Sequence, residues 1–210
     1  MTRDEVIAAV TAAFAATERP GDDFLQGSRE GCEPFEEISP FFGREWNALD
    51  AAFLDERYSA LSFFSGGGFR YFLPAYLIAD LRDELKTADP IFHLTQGFTT
   101  RSSEIPAGNE TFTRSFGGKA LLNPLRYGAM TWRDHTLFKL SVFTREEAGA
   151  ILAYLEYKRD SEPDAFDHDD IVTAIDEYWR ERAKHAPTHE QLRAHNEAEQ
   201  RFLRAIAARP

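Results

Sequence analysis

A run of three glycines comes directly before a helical stretch that carries an arginine. Ser65 is followed by Gly66–Gly68, and Arg70 comes within the next turn. The N-terminus of a helix has free backbone amides, which together with a nearby arginine can bind an anion. The run lacks the Gly-Lys-Ser/Thr ending of a phosphate-binding loop, and no predicted strand leads into it as in a dinucleotide fingerprint. We therefore interpret Ser65 as a helix cap and keep Arg70 as a candidate binding residue.

Tyr76 and Asp80 lie four residues apart in the most apolar stretch of the chain, Phe69 to Leu85. A carboxylate on an apolar helix must be paired or have a raised pKa, which makes Asp80 a candidate site residue. The same spacing also fits a structural hydrogen bond or ion pair at the end of a helix. Arg70 lies on another face of this helix, so its partner is expected from another element.

The other candidates flank residues 87–136, which are dominated by glycine, serine, threonine, asparagine and proline. His93 lies between two apolar residues and has the pattern of an ordinary, partly buried histidine. Arg126 and Trp132 lie near the other end. A loop of this length in a compact domain is usually functional or mobile. If the protein binds a small molecule, we expect the site where the Tyr76–Asp80 helix meets this loop.

The sequence predicts no metal site and no cofactor. The six acids in residues 160–170 lack the central glycine and terminal glutamate of a calcium loop. Asp167, Asp169 and Asp170 suit the first turn of a helix instead. The histidines match no His-Glu-x-x-His motif. Cys32 is the only cysteine, which excludes an internal disulfide; we expect it to be a buried small residue.

Periodicity and capping signals predict a mostly α, compact, single-domain fold with room for one minor β-hairpin. Three stretches carry a capping box, Thr2 to Glu5, Thr144 to Glu147 and Thr188 to Gln191. Helices are expected over residues 2–17, 66–86, 144–158, 167–185 and 188–206. Pro74 should kink the second of these or divide it into two helices. Thr136 to Phe143 weakly favours a short strand.

The chain ends in a basic segment. Residues 180–210 hold seven basic residues against four glutamates, whereas the whole chain has a net charge of -11. We predict one globular domain over residues 1–186, followed by a basic C-terminal helix over 187–210. Opposite charge should draw this helix onto an acidic surface, either of its own domain or of a partner subunit in a homodimer.

The net charge and the length of the apolar stretches restrict the cellular compartment and the kinds of partner that we expect. A net charge of -11 disfavours binding to nucleic acid, because the phosphates would be repelled. The longest apolar stretch, Phe69 to Ala79, contains Arg70 and is too short to span a bilayer. The first residues are charged and no secretory signal follows. These features predict a cytoplasmic protein without membrane association.

Four separated blocks of the sequence occur in order: Glu33–Ile38 with Phe41–Gly43, Phe69–Leu77 (FRYFLPAYL), Ala88–Leu94 (ADPIFHL) and Phe143–Tyr157 (FTREEAGAILAYLEY). Together these blocks resemble a family of bacterial proteins known only as a domain of unknown function. The resemblance extends over about Pro20 to Arg182 and implies no reaction, cofactor or catalytic residue.

Two functions are compatible with these observations. The first is a non-enzymatic, intracellular, acidic protein-binding module that masks a basic partner, as an immunity protein or antitoxin does. The alternative is a small-molecule-binding protein or hydrolase-type enzyme, with its site near Tyr76, Asp80 and residues 87–136. A deep pocket with convergent polar groups would favour the second function, and a flat acidic face would favour the first.

Overall fold

The computed structural model describes residues 1–108, 110–122, 129–195 and 197. The fold is mostly helical with one small antiparallel hairpin, as predicted. The helices are α1 (Arg3–Phe14), α2 (Glu33–Ile38), α3 (Ala51–Glu56), α4 (Ala60–Phe63), α5 (Gly66–Leu81), α6 (Pro90–Thr95), α7 (Trp132–Leu140), α8 (Arg145–Ser161), α9 (His168–Ala174) and α10 (Arg180–His185). Short 3-10 turns cover Asp22–Phe24, Ser39–Phe41 and Trp46–Ala48, and the strands are β1 (Thr100–Ala107) and β2 (Glu110–Gly117).

Helix α5 lies at the centre of the core. Ser65 caps it, because its Oγ accepts a hydrogen bond from the Gly68 amide at 3.0 Å. The helix is continuous across the buried Pro74, so the predicted division into two helices is wrong. It ends at Leu81 rather than near residue 86, because Asp83 takes a left-handed backbone conformation with φ 57°. Beyond this turn, the backbone amides of Lys86, Thr87 and Ala88 donate hydrogen bonds to the carboxylate of Asp55.

Helix α1 packs mainly on α8. Each of these two helices starts with its predicted capping box: Thr2 with Glu5 in α1, and Thr144 with Glu147 in α8. Val6, Val10 and Phe14 on the apolar face of α1 are fully buried, and the ring of Phe14 contacts that of Phe143 edge-on at a centroid distance of 6.2 Å. The first and last thirds of the chain are therefore joined in one core.

The predicted helix over residues 167–185 forms, but with a π-helical turn in the middle. Helix α9 continues through Ile175–Trp179, where the turn is wider, into α10. Asp167 is the N-cap residue, but its side chain makes no capping hydrogen bond. The indole of Trp179 is buried and donates to the Leu94 carbonyl at 2.9 Å, which joins this helix to α6.

The long segment after α6 contains the hairpin. Strands β1 and β2 pair from Thr100 with Gly117 to Ala107 with Glu110. Gly108 has a φ of 65°, as the tight turns that join hairpin strands require. The expected hairpin therefore forms within residues that otherwise read as loop.

Two expectations are wrong. The stretch from Thr136 to Phe143 is not a strand, since α7 runs from Trp132 to Leu140. Thr131 and Asp134 form a capping box that starts this helix, and aspartate in place of the usual glutamate hid the signal. Cys32 is exposed rather than buried, because it stands just before the short surface helix α2.

The last helix is described only in part. Thr188 and Gln191 form the predicted capping box, and helix covers residues 189–195. Pro187 accepts a hydrogen bond from the Arg145 amide at 2.8 Å, so the segment enters this helix at the N-terminus of α8. The rest of the predicted 188–206 helix, apart from residue 197, lies outside the described residues. The division into a domain over 1–186 and a helix over 187–210 stays a prediction.

Candidate functional site

Arg70 lies at the junction of α5 and α8, where it binds Glu147. Its Nε donates to both carboxylate oxygens, at 3.0 and 2.7 Å. Glu147 is fully buried and also accepts from the Thr17 hydroxyl at 2.5 Å and the Thr144 amide at 2.8 Å. His189 places its Nε2 at 4.0 Å from the same carboxylate. Arg70 thus pairs with a residue of another helix and joins three parts of the chain.

Tyr76 and Asp80 bind different partners. The buried hydroxyl of Tyr76 donates to the Arg57 carbonyl at 3.1 Å, and burial raises the pKa of this phenol far above its usual value. Asp80 accepts from the Tyr154 hydroxyl at 2.7 Å and lies 3.4 Å from the Lys158 ammonium group. The two candidates therefore hold α5 against the α3–α4 connection and against α8.

The pKa values around Asp80 follow from burial and pairing. Burial and the adjacent Asp80 carboxylate raise the pKa of Tyr154 well above the ordinary value of tyrosine. Burial disfavours the charged form of Lys158, but hydrogen bonds to Glu162 and Asp80 outweigh it, so the pKa of Lys158 is raised. Both groups keep their protons near neutral pH, and their contacts fit a structural role better than proton transfer.

His93 lies in a second cluster, together with Lys139 and His135. The imidazole is almost fully buried, and its Nδ1 has no hydrogen-bond partner within the described part of the chain. Lys139 donates to the Leu61 carbonyl at 3.2 Å, and its Nζ lies 4.3 Å from the centre of the Phe69 ring. No carboxylate in the described residues forms an ion pair with this ammonium group.

Burial sets the protonation of this cluster. Burial, and to a lesser degree the charge on Lys139, lowers the pKa of His93 to about 3. Burial also lowers the pKa of Lys139 to about 8. The pKa of His135 is lowered by burial and by Lys139. Two histidines that favour the neutral form thus lie beside an amine that is partly deprotonated near neutral pH.

Trp132 begins α7 and is partly exposed. Its ring contacts that of His135 edge-on at a centroid distance of 5.9 Å, which places it at the rim of the Lys139 cluster. Arg126, expected nearby, lies outside the described residues. The structure thus brings His93 and Trp132 towards one cluster, but not Arg70, Tyr76 or Asp80. The sequence did not identify Lys139 as a site residue, because only its burial distinguishes it from a surface lysine.

Two of the pockets on the described surface are shallow. Their volumes are about 270 and 180 Å³, below the roughly 300–1,000 Å³ typical of small-molecule sites. The five predicted site residues line neither pocket. The larger is lined by Met1, Ala153, Glu156, Tyr157, Asp160 and Ser161. The smaller is lined by Phe92, Thr95, Gln96, Gly97, Thr99, Phe116, Gly117 and Asp170.

A surface of aromatic and acidic residues surrounds helix α2. Phe35 and Phe42 are 54% and 36% exposed, and their rings meet edge-on at a centroid distance of 6.2 Å. Glu33 and Glu36 lie on the same short helix as Phe35, and both are exposed. We call these four residues the α2 patch.

Clusters of metal ligands and helices that could span a membrane are both absent from the described residues. Within the described residues, no group of three or more histidine, cysteine, aspartate or glutamate side chains is arranged to hold a metal ion. None of the described helices is long and apolar enough to cross a membrane.

Comparison with known proteins assigns the chain to a family. Searches of curated proteins and of solved structures each gave no match. One family model matches residues 2–114, which include α1 to α6 and most of the hairpin. The first three resembling blocks lie inside this match and the fourth, Phe143–Tyr157, lies beyond it. Because the match covers more than half of the 210 residues, the chain belongs to a family of unknown function, DUF6714.

Proposed function

We propose that the protein is a non-enzymatic protein-binding module of the bacterial cytoplasm, which masks a basic partner in the manner of an immunity protein or antitoxin. The α2 patch is the contact surface. The observation that carries the proposal is the exposed Phe35–Phe42 pair beside Glu33 and Glu36. A cluster of aromatic rings at the surface is costly in water unless it meets a partner.

The composition of the α2 patch fits an interface with a basic protein. Aromatic side chains are enriched at interface centres, where a few of them supply most of the binding energy. Carboxylates beside them would steer and orient a cationic partner, and the net charge of -11 adds a long-range attraction. The candidates inside the fold support this proposal indirectly, because Arg70, Tyr76 and Asp80 are each engaged in contacts between helices.

Affinity capture from the native host, followed by binding measurements with the purified partner, tests the proposal. We expect the partner to be basic and its affinity to fall with added salt. Phe35→Ser with Phe42→Ser should weaken binding at least about tenfold, as the loss of a central aromatic contact does. Glu33→Lys with Glu36→Lys should slow association. Phe138→Ser, at an even more exposed aromatic on α7, is the control and should bind as the wild type does.

Two results would contradict this assignment. One is a partner that binds the wild type and both α2 patch variants equally well. The other is an acidic partner whose affinity does not depend on salt. The first result would remove the α2 patch from the interface, and the second would exclude the masking of a basic partner.

A second candidate function is a small-molecule-binding protein or hydrolase-type enzyme that uses the Lys139 cluster. The observation in its favour is a buried amine that no carboxylate of the described residues pairs with and that lies beside neutral His93. A desolvated lysine can act as a nucleophile or general base near neutral pH. Loss of hydrolysis of a model ester in Lys139→Met, with folding intact, would favour this candidate; equal hydrolysis by both proteins would exclude it.

A further inference from the structure

We propose that β2 is a homodimerisation strand, which pairs antiparallel with β2 of a second copy of this chain about a two-fold axis at Phe112. The proposal concerns the hairpin and is independent of the α2 patch.

One face of the hairpin carries exposed apolar side chains. Opposed residues of an antiparallel ladder share a face, so Ile105, Phe112 and Phe116 lie on the same side, together with Glu110 and Arg114. The three apolar side chains are 42%, 55% and 43% exposed. A two-stranded sheet is at best marginally stable in water, whereas additional strands with a common apolar face are stable. Another strand beside this hairpin would pack its side chains against these residues and bury part of their exposed surface.

The two edges of the hairpin differ, and β2 is the one suited to pairing. Strand β1 contains Pro106, which cannot donate a backbone hydrogen bond, and Glu104, a charge on the opposite face. Proline and charge are devices that protect an edge strand from further pairing. Strand β2 has no proline, and Thr111, Phe112 and Thr113 at its centre favour strand structure. The next strand should therefore add to β2.

The charges on β2 favour a second copy of the same strand. When the axis passes through Phe112, the two Phe112 rings are opposed. Glu110 of each copy then lies opposite Arg114 of the other, so two opposite-charge pairs flank the aromatic pair. A two-fold axis requires this kind of self-complementarity. The apolar faces of both hairpins also lie on the same side of the resulting four-stranded sheet.

Neighbouring registers are less favourable. An axis at Thr113 places Glu110 opposite Phe116, so neither charge is paired with its opposite. An axis at Arg114 places two arginines directly opposite each other, which is destabilising. The register centred on Phe112 also suits the backbone. Because the turn closes on Ala107 and Glu110, we expect Thr111 and Thr113 to direct their hydrogen-bonding groups outward, towards the second copy.

A charge swap in the full-length chain tests the pairing. The dimer dissociation constant is measured by sedimentation over a range of concentrations. Glu110→Arg and Arg114→Glu should each raise it at least about tenfold, because each creates two like-charge pairs per dimer. The double variant that combines both changes should restore most of the affinity. Glu104→Arg, on β1 and on the other face, is the matched control and should leave the constant unchanged.

A disulfide cross-link tests the position of the axis. In a Cys32→Ser background, Phe112→Cys places two thiols opposite each other at a Cα separation of about 4.5 Å, which a disulfide can bridge. We expect a covalent dimer on mild oxidation, and none from Ile105→Cys on β1. Far-ultraviolet circular dichroism of each variant confirms that the helical body is folded.

Three outcomes overturn the proposal. The first is a wild type that is monomeric at every concentration. The second is a dimer whose dissociation constant is the same in both single charge variants. The third is a dimer that persists in those variants but is lost on truncation after Ala186, which would place the contact on the C-terminal helix.

Discussion

The Nε of Arg70 in α5 donates to both carboxylate oxygens of Glu147 in α8, although the two residues are 77 positions apart in the chain. Glu147 is fully buried, whereas Arg70 is only partly so. The same carboxylate completes the capping box of α8 through the Thr144 amide. The Glu147 side chain thus caps the start of α8 and also fixes this helix against α5. Loss of the Arg70–Glu147 pair should therefore lower the stability of the fold strongly.

We predict that Glu147→Gln lowers the free energy of unfolding by about 3 kcal/mol, since it leaves the Arg70 cation without its counter-charge in a largely buried position. Urea denaturation gives this value. Asp176→Asn is the matched control, because it breaks the exposed pair with Arg180 and should change stability by less than about 1 kcal/mol. Equal effects of the two changes would mean that the Arg70–Glu147 contact is not formed.

The pKa of His93 leads to a prediction for acid stability. The folded protein keeps His93 neutral down to about pH 3, whereas the unfolded chain takes up a proton below its ordinary pKa of 6.5. As the pH falls from 6.5 towards 3, this residue therefore lowers the free energy of unfolding, by at most about 1.4 kcal/mol per pH unit.

Urea midpoints over this pH range test the role of His93. His93→Leu should remove the loss of stability that this residue causes between pH 6.5 and 3. His185→Gln, at an exposed position, should retain that loss. An identical pH slope in wild type and His93→Leu would show that His93 is protonated in the folded protein.

Lys139 should give a pH dependence of the same sign as His93, but in the alkaline range. Its pKa of about 8 in the folded protein lies below the 10.5 of an ordinary lysine. Between these values the unfolded chain binds more protons, so stability should rise with pH there. Acylation of Lys139 by an amine-selective reagent, followed by mass spectrometry, should reach half of its maximal rate near pH 8. A rate that keeps increasing to pH 10 would contradict the lowered pKa.

We predict that truncation after Ala186 leaves a folded protein of lower stability. The change removes the Pro187 carbonyl, to which Arg145 donates, and His189, whose Nε2 lies 2.9 Å from the Ala13 carbonyl. The loss of each of these hydrogen bonds costs about 0.5–1.5 kcal/mol. Truncation after His195 keeps both contacts and is the control in thermal melting. An unfolded product of the shorter chain would place this segment in the core.

Phe72 and Leu77 are fully buried on α5, and we predict that Phe72→Ala and Leu77→Ala each cost about 2–5 kcal/mol. The ring of Phe72 lies 5.0 Å from that of Phe41 and 5.1 Å from that of Phe64, so its loss opens a cavity in an aromatic cluster. The urea midpoint should fall in both variants and stay unchanged in Phe138→Ala. Unchanged midpoints would mean that α5 is peripheral.

The elements that could be predicted are those with local signals. Three threonines, each with a glutamate or glutamine three residues later, marked helix starts at Thr2, Thr144 and Thr188. Each of these caps depends only on residues within one turn. Helix α7 was missed, since Thr131 pairs with an aspartate and the stretch that follows contains several residues with strand preference.

The site residues were harder, because their roles depend on distant parts of the chain. The sequence suggested Tyr76 and Asp80 as a pair, but each binds a residue from another element. Glu147 was visible only as a capping residue, and nothing local predicts its contact with Arg70. Lys139 and the α2 patch differ from ordinary residues only in their burial or exposure, which tertiary packing decides.

The packing of α1 on α8 has a consequence for synthesis in the cell. Helix α1 leaves the ribosome before α8, the helix on which it mainly packs and which ends at Ser161. Translation of the intervening chain takes on the order of 10 s. During this interval Val6, Val10 and Phe14 lack the cover of α8 on the nascent polypeptide, where chaperones can bind them. Release of α1 from such helpers must therefore await the synthesis of α8.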